Sequence, residues 1–414
     1  MRKIFLIISL TLIAYITPAQ TKKVLFLGNS YTSVNNTPQI CADLAASVND
    51  TLIYESNTPG GYTLEAHSTN DISLNKIAQG NWDFVFLQEQ SQRPALPDEQ
   101  VFQDVFPYAR KLDSLIREAN PCGETGFFMT WGRKNGDDEN CPIWPPVCSY
   151  QGMDSLLQLR YQMMADSNQA IISPVAAVWH YLRDHFPLIE LYAMDDSHPS
   201  QAGSYAAACS FYTTIFRKDP SLLSYSYGLS PFVAKSIRTA AKLVVFDSLR
   251  KWHIGEYDHS VDFSFEYVEG YSVQFYNLSQ NENGHLWNFG SSTETSENPL
   301  FNFPAQGNYP VSLYSYGNCD TLINTQTIDL INTDLSCCNS NLKFHFYPNP
   351  AKNRIILSNT SKASYPIHIY NSLGRLIILI DKPTLKSIDI SLLDKGVYFI
   401  KTANSTQTYK LVVE

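Results

Sequence analysis

The chain has 414 residues, 44% of them apolar, 13% aromatic and 17% charged, and a formal net charge of -9 at neutral pH. That length exceeds what one hydrophobic core usually supports, so two or three globular domains are expected. Acidity without a basic cluster argues against nucleic acid or an anionic membrane surface as partner.

At the start, Arg2 and Lys3 precede an apolar stretch from Ile4 to about Ile16, followed by Thr17, Pro18 and Ala19. Basic, apolar and small residues in that order predict a secretory signal peptide over residues 1–19 and a mature chain from Gln20. The apolar stretch is well short of the roughly 20 residues that cross a bilayer, and no later run comes closer. No integral membrane segment is therefore expected, and the protein should be exported.

Residues 20–252 alternate short β-rich runs with amphipathic stretches, the pattern of an α/β domain with a parallel sheet. Strands are predicted at Lys23 to Leu27, Thr51 to Ser56, Phe84 to Gln88, Thr125 to Thr130 and Ala170 to Pro174. Helices are predicted at Pro38 to Val48, Gln100 to Ala119, Met153 to Asn168, Val175 to His185 and Gln201 to Phe216. Beyond Trp252 helical periodicity stops. Short aromatic and β-branched runs split by Gly, Asn, Ser and Pro then predict two β-sandwich domains, over 256–333 and 344–414, with a polar linker at 334–343.

Eight cysteines in an exported chain permit disulfides. Cys141 and Cys148 bracket one short loop and form the best candidate pair. Sequence gives no pairing for Cys41, Cys122, Cys209, Cys319, Cys337 and Cys338, and no metal-ligand spacing accompanies them.

Gly28-Asn29-Ser30-Tyr31 follows the first strand, where open α/β sheets place ligands, and Asp195-Asp196-Ser197-His198-Pro199 precedes the last predicted helix. A serine hydroxyl becomes a nucleophile when an imidazole takes its proton and a carboxylate orients that imidazole. Taken singly, the first motif is an ordinary turn and the second an ordinary helix cap. Together, at the two ends of one domain, they form a nucleophile, base and orienter.

These residues resemble the first and last blocks of SGNH (GDSL-type) hydrolases, with Asn29 where aspartate is usual. The resemblance implies a flavodoxin-like three-layer α/β/α domain with a parallel sheet, and a serine esterase mechanism needing no cofactor and no metal. Carried over position by position, Ser30 is the nucleophile, His198 the base and Asp195 its orienter, while Asp196 is the rival carboxylate. The oxyanion hole is expected from the Ser30 N–H, a glycine N–H from Gly61 or alternatively Gly60, and an amide from Gln90 or alternatively Gln88. The last two stand in Gln88-Glu89-Gln90-Ser91-Gln92, where the family has Gly-x-Asn-Asp. Asn29 is expected to shape the turn, since Asn tolerates unusual backbone angles.

Bland readings stand beside these. His67 is either pocket lining or a surface or polar-core residue, and His180 and His185 are structural. Trp131 and Arg133 are candidates for a substrate wall, with core packing as the alternative. Glu89 has no placed partner carboxylate for glycosidase chemistry.

In the second region, Trp287-Asn288-Phe289-Gly290, Asn298-Pro299 and Gly307-Asn308-Tyr309-Pro310-Val311 resemble a PKD domain, with Trp287 and Phe289 as core. Tyr347-Pro348-Asn349-Pro350, Asn371-Ser372-Leu373-Gly374-Arg375 and Lys395-Gly396-Val397-Tyr398 resemble a type IX secretion sorting domain. That resemblance implies the secretion machinery as partner, and release or attachment at the cell surface. An acylated polysaccharide or small ester is the expected substrate. The competing readings are a lipase or thioesterase of the same fold, and a non-catalytic carbohydrate-binding or adhesion protein.

Overall fold

The structure is a computed structural model and describes residues 18–268, 270–330, 345–358, 366–371, 375–380, 387–402 and 408–413. The expected signal peptide up to residue 17, the linker at 334–343, and Cys337 and Cys338 lie outside the described residues. The described residues of Met1–Val261, with Ser279–His285 and Tyr314–Ile323, form one compact unit. Those of Asp262–Leu278, Leu286–Leu313 and Asn324–Glu414 form a second.

A parallel sheet organises the first unit. Strands β1 (Thr21–Leu27), β2 (Thr51–Asn57), β3 (Phe84–Leu87), β4 (Glu124–Phe128) and β5 (Ile171–Ser173) lie in the order β2-β1-β3-β4-β5, with every neighbouring pair parallel. Val24 to Leu27 and all of β3 are buried, which is why these runs read as continuously apolar rather than alternating: helices cover both faces of the sheet. The helices are α1 (Ser30–Ser33), α2 (Thr37–Ala46), α3 (Leu64–His67), α4 (Asp71–Ala78), α5 (Asp98–Asp104), α6 (Phe106–Ala119), α7 (Tyr150–Asn168), α8 (Val175–His185), α9 (Gln201–Phe216) and α10 (Pro231–Val244). Burial runs without a break from Ala202 to Phe216 in α9, so that helix shows no polar stripe.

Two sequence expectations shift. The single helix expected over Gln100 to Ala119 is broken at Val105, whose φ of -122° and ψ of -59° leave the helix. Pro107 explains the break, since its ring is at home only in a first helical turn. The helices α3, α4 and α10 were not expected. For α10 the signal was present: Ser230 accepts the Val233 N–H and Pro231 opens the first turn.

The rest is antiparallel β structure. Strands β6 (Phe263–Tyr267), β7 (Ser272–Asn277), β8 (Gly284–Asn288), β9 (Thr293–Glu294), β10 (Leu300–Asn302), β11 (Gly307–Tyr316) and β12 (Thr321–Leu330) form sheets ordered β10-β7-β6 and β12-β11-β8-β9. Phe263, Phe275, Trp287 and Phe289 pack as a buried aromatic core, and the Trp287 indole N–H donates to the Ser296 carbonyl. Where the PKD pattern has Asp-Gly, the turn after Gly290 is closed by the Gly290 N–H on the Asn288 side-chain oxygen and the Phe289 N–H on the Ser292 carbonyl. Strands β13 (His345–Tyr347), β14 (Arg354–Ser358), β15 (Ile367–Asn371), β16 (Leu376–Ile380), β17 (Ser387–Asp389), β18 (Gly396–Thr402) and β19 (Thr408–Val413) form sheets β13-β14-β17 and β16-β15-β18-β19 over their own core of Ile355, Ile369, Ile400 and Leu411.

Cys141 is bonded to Cys148, and Cys122 to Cys319 across 197 residues of sequence. Both pairs lie within the first unit. On chain-entropy grounds the long-range bridge stabilises that unit by about 5 kcal/mol, through the unfolded states it removes. Replacing Cys122 and Cys319 together by Ser is expected to lower stability to chemical denaturation by about 2–5 kcal/mol under oxidising conditions. Equal midpoints and slopes for the variant and the wild type would show that the bridge contributes nothing.

Candidate active site

Strand β1 ends at Leu27, and the chain turns through Gly28 and Asn29 into α1, whose first residue is Ser30. Gly28 is needed because Gln88 and Thr32 crowd the turn: a Cβ there would lie 2.6 Å from Gln88 Oε1 and 2.7 Å from Thr32 Oγ1. Gln88 Oε1 accepts from the Asn29 N–H at 3.0 Å and the Thr32 hydroxyl at 2.8 Å. In return, Gln88 Nε2 donates to Asn29 Oδ1 at 2.7 Å.

Asn29 itself sits in extended backbone, with φ -140° and ψ -152°. It does not supply the unusual backbone angles expected from the sequence, and acts instead through its amide. Its Oδ1 also caps α1 by accepting the Tyr31 N–H, while Nδ2 donates to the Tyr62 carbonyl at 2.9 Å. An aspartate carboxylate could not make that last bond, because it has no hydrogen to give.

Ser30 Oγ lies 2.7 Å from His198 Nε2, and His198 Nδ1 lies 2.5 Å from Asp195 Oδ2. Asp195 Oδ1 accepts the backbone N–H groups of Ser197 at 3.1 Å and His198 at 2.9 Å. Burial alone raises the Asp195 carboxyl, but the His198 ring and these two N–H groups outweigh it and hold the group below the usual carboxylate range. Asp196, at φ +54°, turns away and accepts from Asn135, with Lys134 close by. The rivalry between the two carboxylates is thus resolved geometrically: Asp195 faces the imidazole.

The loop that carries His198 is braced from behind. Trp131 donates its indole N–H to the Ser197 carbonyl at 3.0 Å and stacks between Tyr31 and Trp179, with ring centroids 4.7 Å and 3.8 Å away. The Tyr31 hydroxyl meets Ser197 Oγ at 2.6 Å. Trp131 is fully buried, so of its two readings core packing holds and the substrate wall does not: after β4 the chain turns this ring into the core. Arg133 is tied back to the buried Asp137. Neither role is signalled in the sequence, because an aromatic after a strand end reads the same facing in or out.

Among the expected oxyanion donors the structure separates the two amides. Gln88 Nε2 spends its hydrogens on Asn29 Oδ1 and the Glu89 carbonyl, so Gln88 is a structural brace. Gln90 Nε2 gives one hydrogen to Gln92 Oε1, and Gln92 is anchored on Asp137. Gly60 and Gly61 are exposed in an open loop, and Gly61 has a φ of +69°, a conformation that disfavours any side chain.

His67 is neither exposed nor pocket lining. Fully buried, it has Nε2 2.8 Å from the Gly28 carbonyl and Nδ1 2.7 Å from Ser73 Oγ. A carbonyl only accepts, so Nε2 carries the hydrogen, Nδ1 accepts from Ser73, and the ring is neutral. His180 bonds Asp154, and His185 stacks on Tyr181, both away from Ser30.

Residues 345–414 match the family described as the secretion system C-terminal sorting domain. The chain is thereby addressed for type IX secretion, to the cell surface or beyond, and no helix among the described residues is long and apolar enough to cross a membrane. No curated protein matches the chain. Among solved structures, it is similar to a DUF4886 family protein from Bacteroides uniformis, with 19% identity over 56% of this chain and 95% of that one, at a TM-score of 0.47. It is also similar to a proposed SGNH hydrolase from Slackia heliotrinireducens, with 25% identity, 46% and 97% coverage and a TM-score of 0.39. The PKD1 domain of the Vibrio cholerae metalloprotease PrtV is 31% identical over 17% of this chain and 95% of its own length, at a TM-score of 0.16.

Burial lowers the His67 pKa from 6.5 to about 4, against the bond to Gly28, which raises it. The unfolded chain therefore takes up a proton near pH 6.5 that the folded chain refuses until about pH 4, and stability falls as pH drops through that window. His67→Gln should remove up to about 3 kcal/mol of this acid-side loss, seen as a flatter stability curve than wild type between those pH values. Parallel curves for the two proteins would contradict a buried neutral ring.

Proposed function

We propose that this chain is an exported serine ester hydrolase that cleaves acyl esters, acetyl foremost, carried on carbohydrate. The observation that carries the proposal is the hydrogen-bonded line from Ser30 Oγ through His198 to Asp195, at 2.7 Å and 2.5 Å. In this reaction His198 Nε2 takes the Ser30 proton as Oγ attacks the ester carbonyl, and the Asp195 carboxylate stabilises the imidazolium that forms. The Ser30 N–H, the Gly61 N–H and the second Gln90 N–H receive the developing oxyanion. His198 then returns its proton to the leaving alkoxide. Water, deprotonated by the same imidazole, releases the acid from the acyl-enzyme.

Two further features support this assignment. The carboxylate is kept ionised by its neighbours, as an orienter must be. The motif blocks at both ends of the domain resemble those of SGNH hydrolases, with an amide-rich run in place of the third block. Carbohydrate is favoured by destination: the sorting domain sends the chain outside the cell, where acylated polysaccharides are the abundant esters.

The test is hydrolysis of chromogenic acetyl and longer acyl esters by the purified protein. Ser30→Ala and His198→Ala are expected to lower kcat by about a thousandfold or more, and Asp195→Asn by about a hundredfold or more. Turnover indifferent to Ser30→Ala would sink the mechanism. Preference for long acyl chains would identify a lipase or thioesterase, and glycan retention without turnover a binding protein.

A further inference from the structure

Glu89 is fully buried between the two segments from which the oxyanion donors are drawn. One carboxylate oxygen, Oε1, accepts the Gln90 N–H at 2.6 Å, and the other, Oε2, accepts the Leu64 N–H at 3.2 Å. Its own backbone carbonyl accepts from Gln88 Nε2 at 2.7 Å and from Asn29 Nδ2 at 3.5 Å. Its N–H donates to the Tyr161 hydroxyl at 3.3 Å. A single residue thus touches the nucleophile turn, the Gly60–Leu64 segment and the Gln88–Gln92 segment. We propose that Glu89 is a positioning residue, whose carboxylate fixes the spacing between the Gly61 loop and the Gln90 amide and so holds the oxyanion hole in shape. The proposal rests on the esterase reading for what the hole does, while the carboxylate bridge is a matter of geometry.

The chemistry of the site favours this role over a proton-transfer role. Neither carboxylate oxygen has a bond to Ser30 or His198: both are spent on backbone N–H groups. Burial outweighs the downward pull of the Gln90 and Leu64 N–H groups and of the nearby Arg93, and leaves the carboxyl raised to about 7. Apolar packing alone would be served by an uncharged side chain. What an uncharged amide cannot do is accept one N–H at each of its two ends, since one of those ends is itself a donor.

Glu89→Gln is therefore the informative change, because it keeps the shape and orphans one N–H. The full chain is measured with chromogenic acetyl ester and by hydrogen exchange at the Leu64 and Gln90 amides. Glu89→Gln is expected to lower kcat at least about tenfold with KM within about threefold. In a Gln90→Ala background the same change should cost less than about threefold, because the group it acts through is already gone. Exchange at whichever of Leu64 and Gln90 loses its acceptor should speed up at least about tenfold, with the core of the sheet unaffected. A kcat within about twofold of wild type, or full additivity with Gln90→Ala, overturns the positioning role even if the melting temperature falls. Unchanged exchange at both amides overturns the bridge. If the wild type turns over no ester but exchange responds as stated, the esterase reading fails and the carboxylate bridge stands.

Discussion

The reciprocal pair of hydrogen bonds between Asn29 and Gln88 is the constraint around which the site is assembled. It joins the ends of β1 and β3, neighbours in the sheet: buried Gln88 accepts the Asn29 backbone N–H and donates to the Asn29 side-chain oxygen, while Thr32, Tyr62 and Glu89 take up the remaining polar atoms. A buried amide left unpaired costs about as much as several good packing contacts, so this exchange specifies a single arrangement of the turn. Ser30 inherits its position from that arrangement. Gly28 must lack a side chain for the same reason, and the Gly28 carbonyl is held from the far side by His67.

The site is thus a set of loops fastened by polar bonds to a rigid apolar sheet. Behind Ser30 and His198 lies a stack of Tyr31, Trp131 and Trp179, which combines aromatic packing with one indole hydrogen bond to the His198 loop. Beside Ser30, Gln88 and Glu89 are fully buried, while Gln90 and Gln92 are half-buried and bonded to one another, with Gln92 held on the buried Asp137. What each amide meets decides which is a brace and which keeps a hydrogen to spare.

Much of the architecture was legible in the sequence, for physical reasons that differ by element. The strands could be read because burial on both faces of a parallel sheet makes Val24 to Leu27 and Phe84 to Leu87 continuously apolar. Ser30 and the Asp195–His198 pair could be singled out because three-residue spacing within one motif fixes a local geometry, and the structure brings the two motifs together. Less of the surroundings was readable. Amide side chains are chemically identical in sequence, so Gln88 and Gln90 are told apart only by what they meet. Asn29 was assigned the right neighbourhood and the wrong physical job, and Trp131 was left with two readings, since orientation is set by partners remote in the chain. The break at Val105 and the helix at 231–244 had local signals in Pro107 and in Ser230-Pro231.

Cys122 and Cys319 stand on either side of the segment that holds Asp195 and His198, while Ser30 lies upstream of both. Outside the cell the chain meets proteases. A cut anywhere between the two cysteines would leave the fragments covalently joined, with Ser30 on one piece and His198 on either piece according to the site of the cut. Such a nicked molecule would migrate as a single species until it was reduced, and could keep its hydrogen-bonded line intact through the sheet. The bridge therefore keeps both parts of the line in one molecule after such a cut.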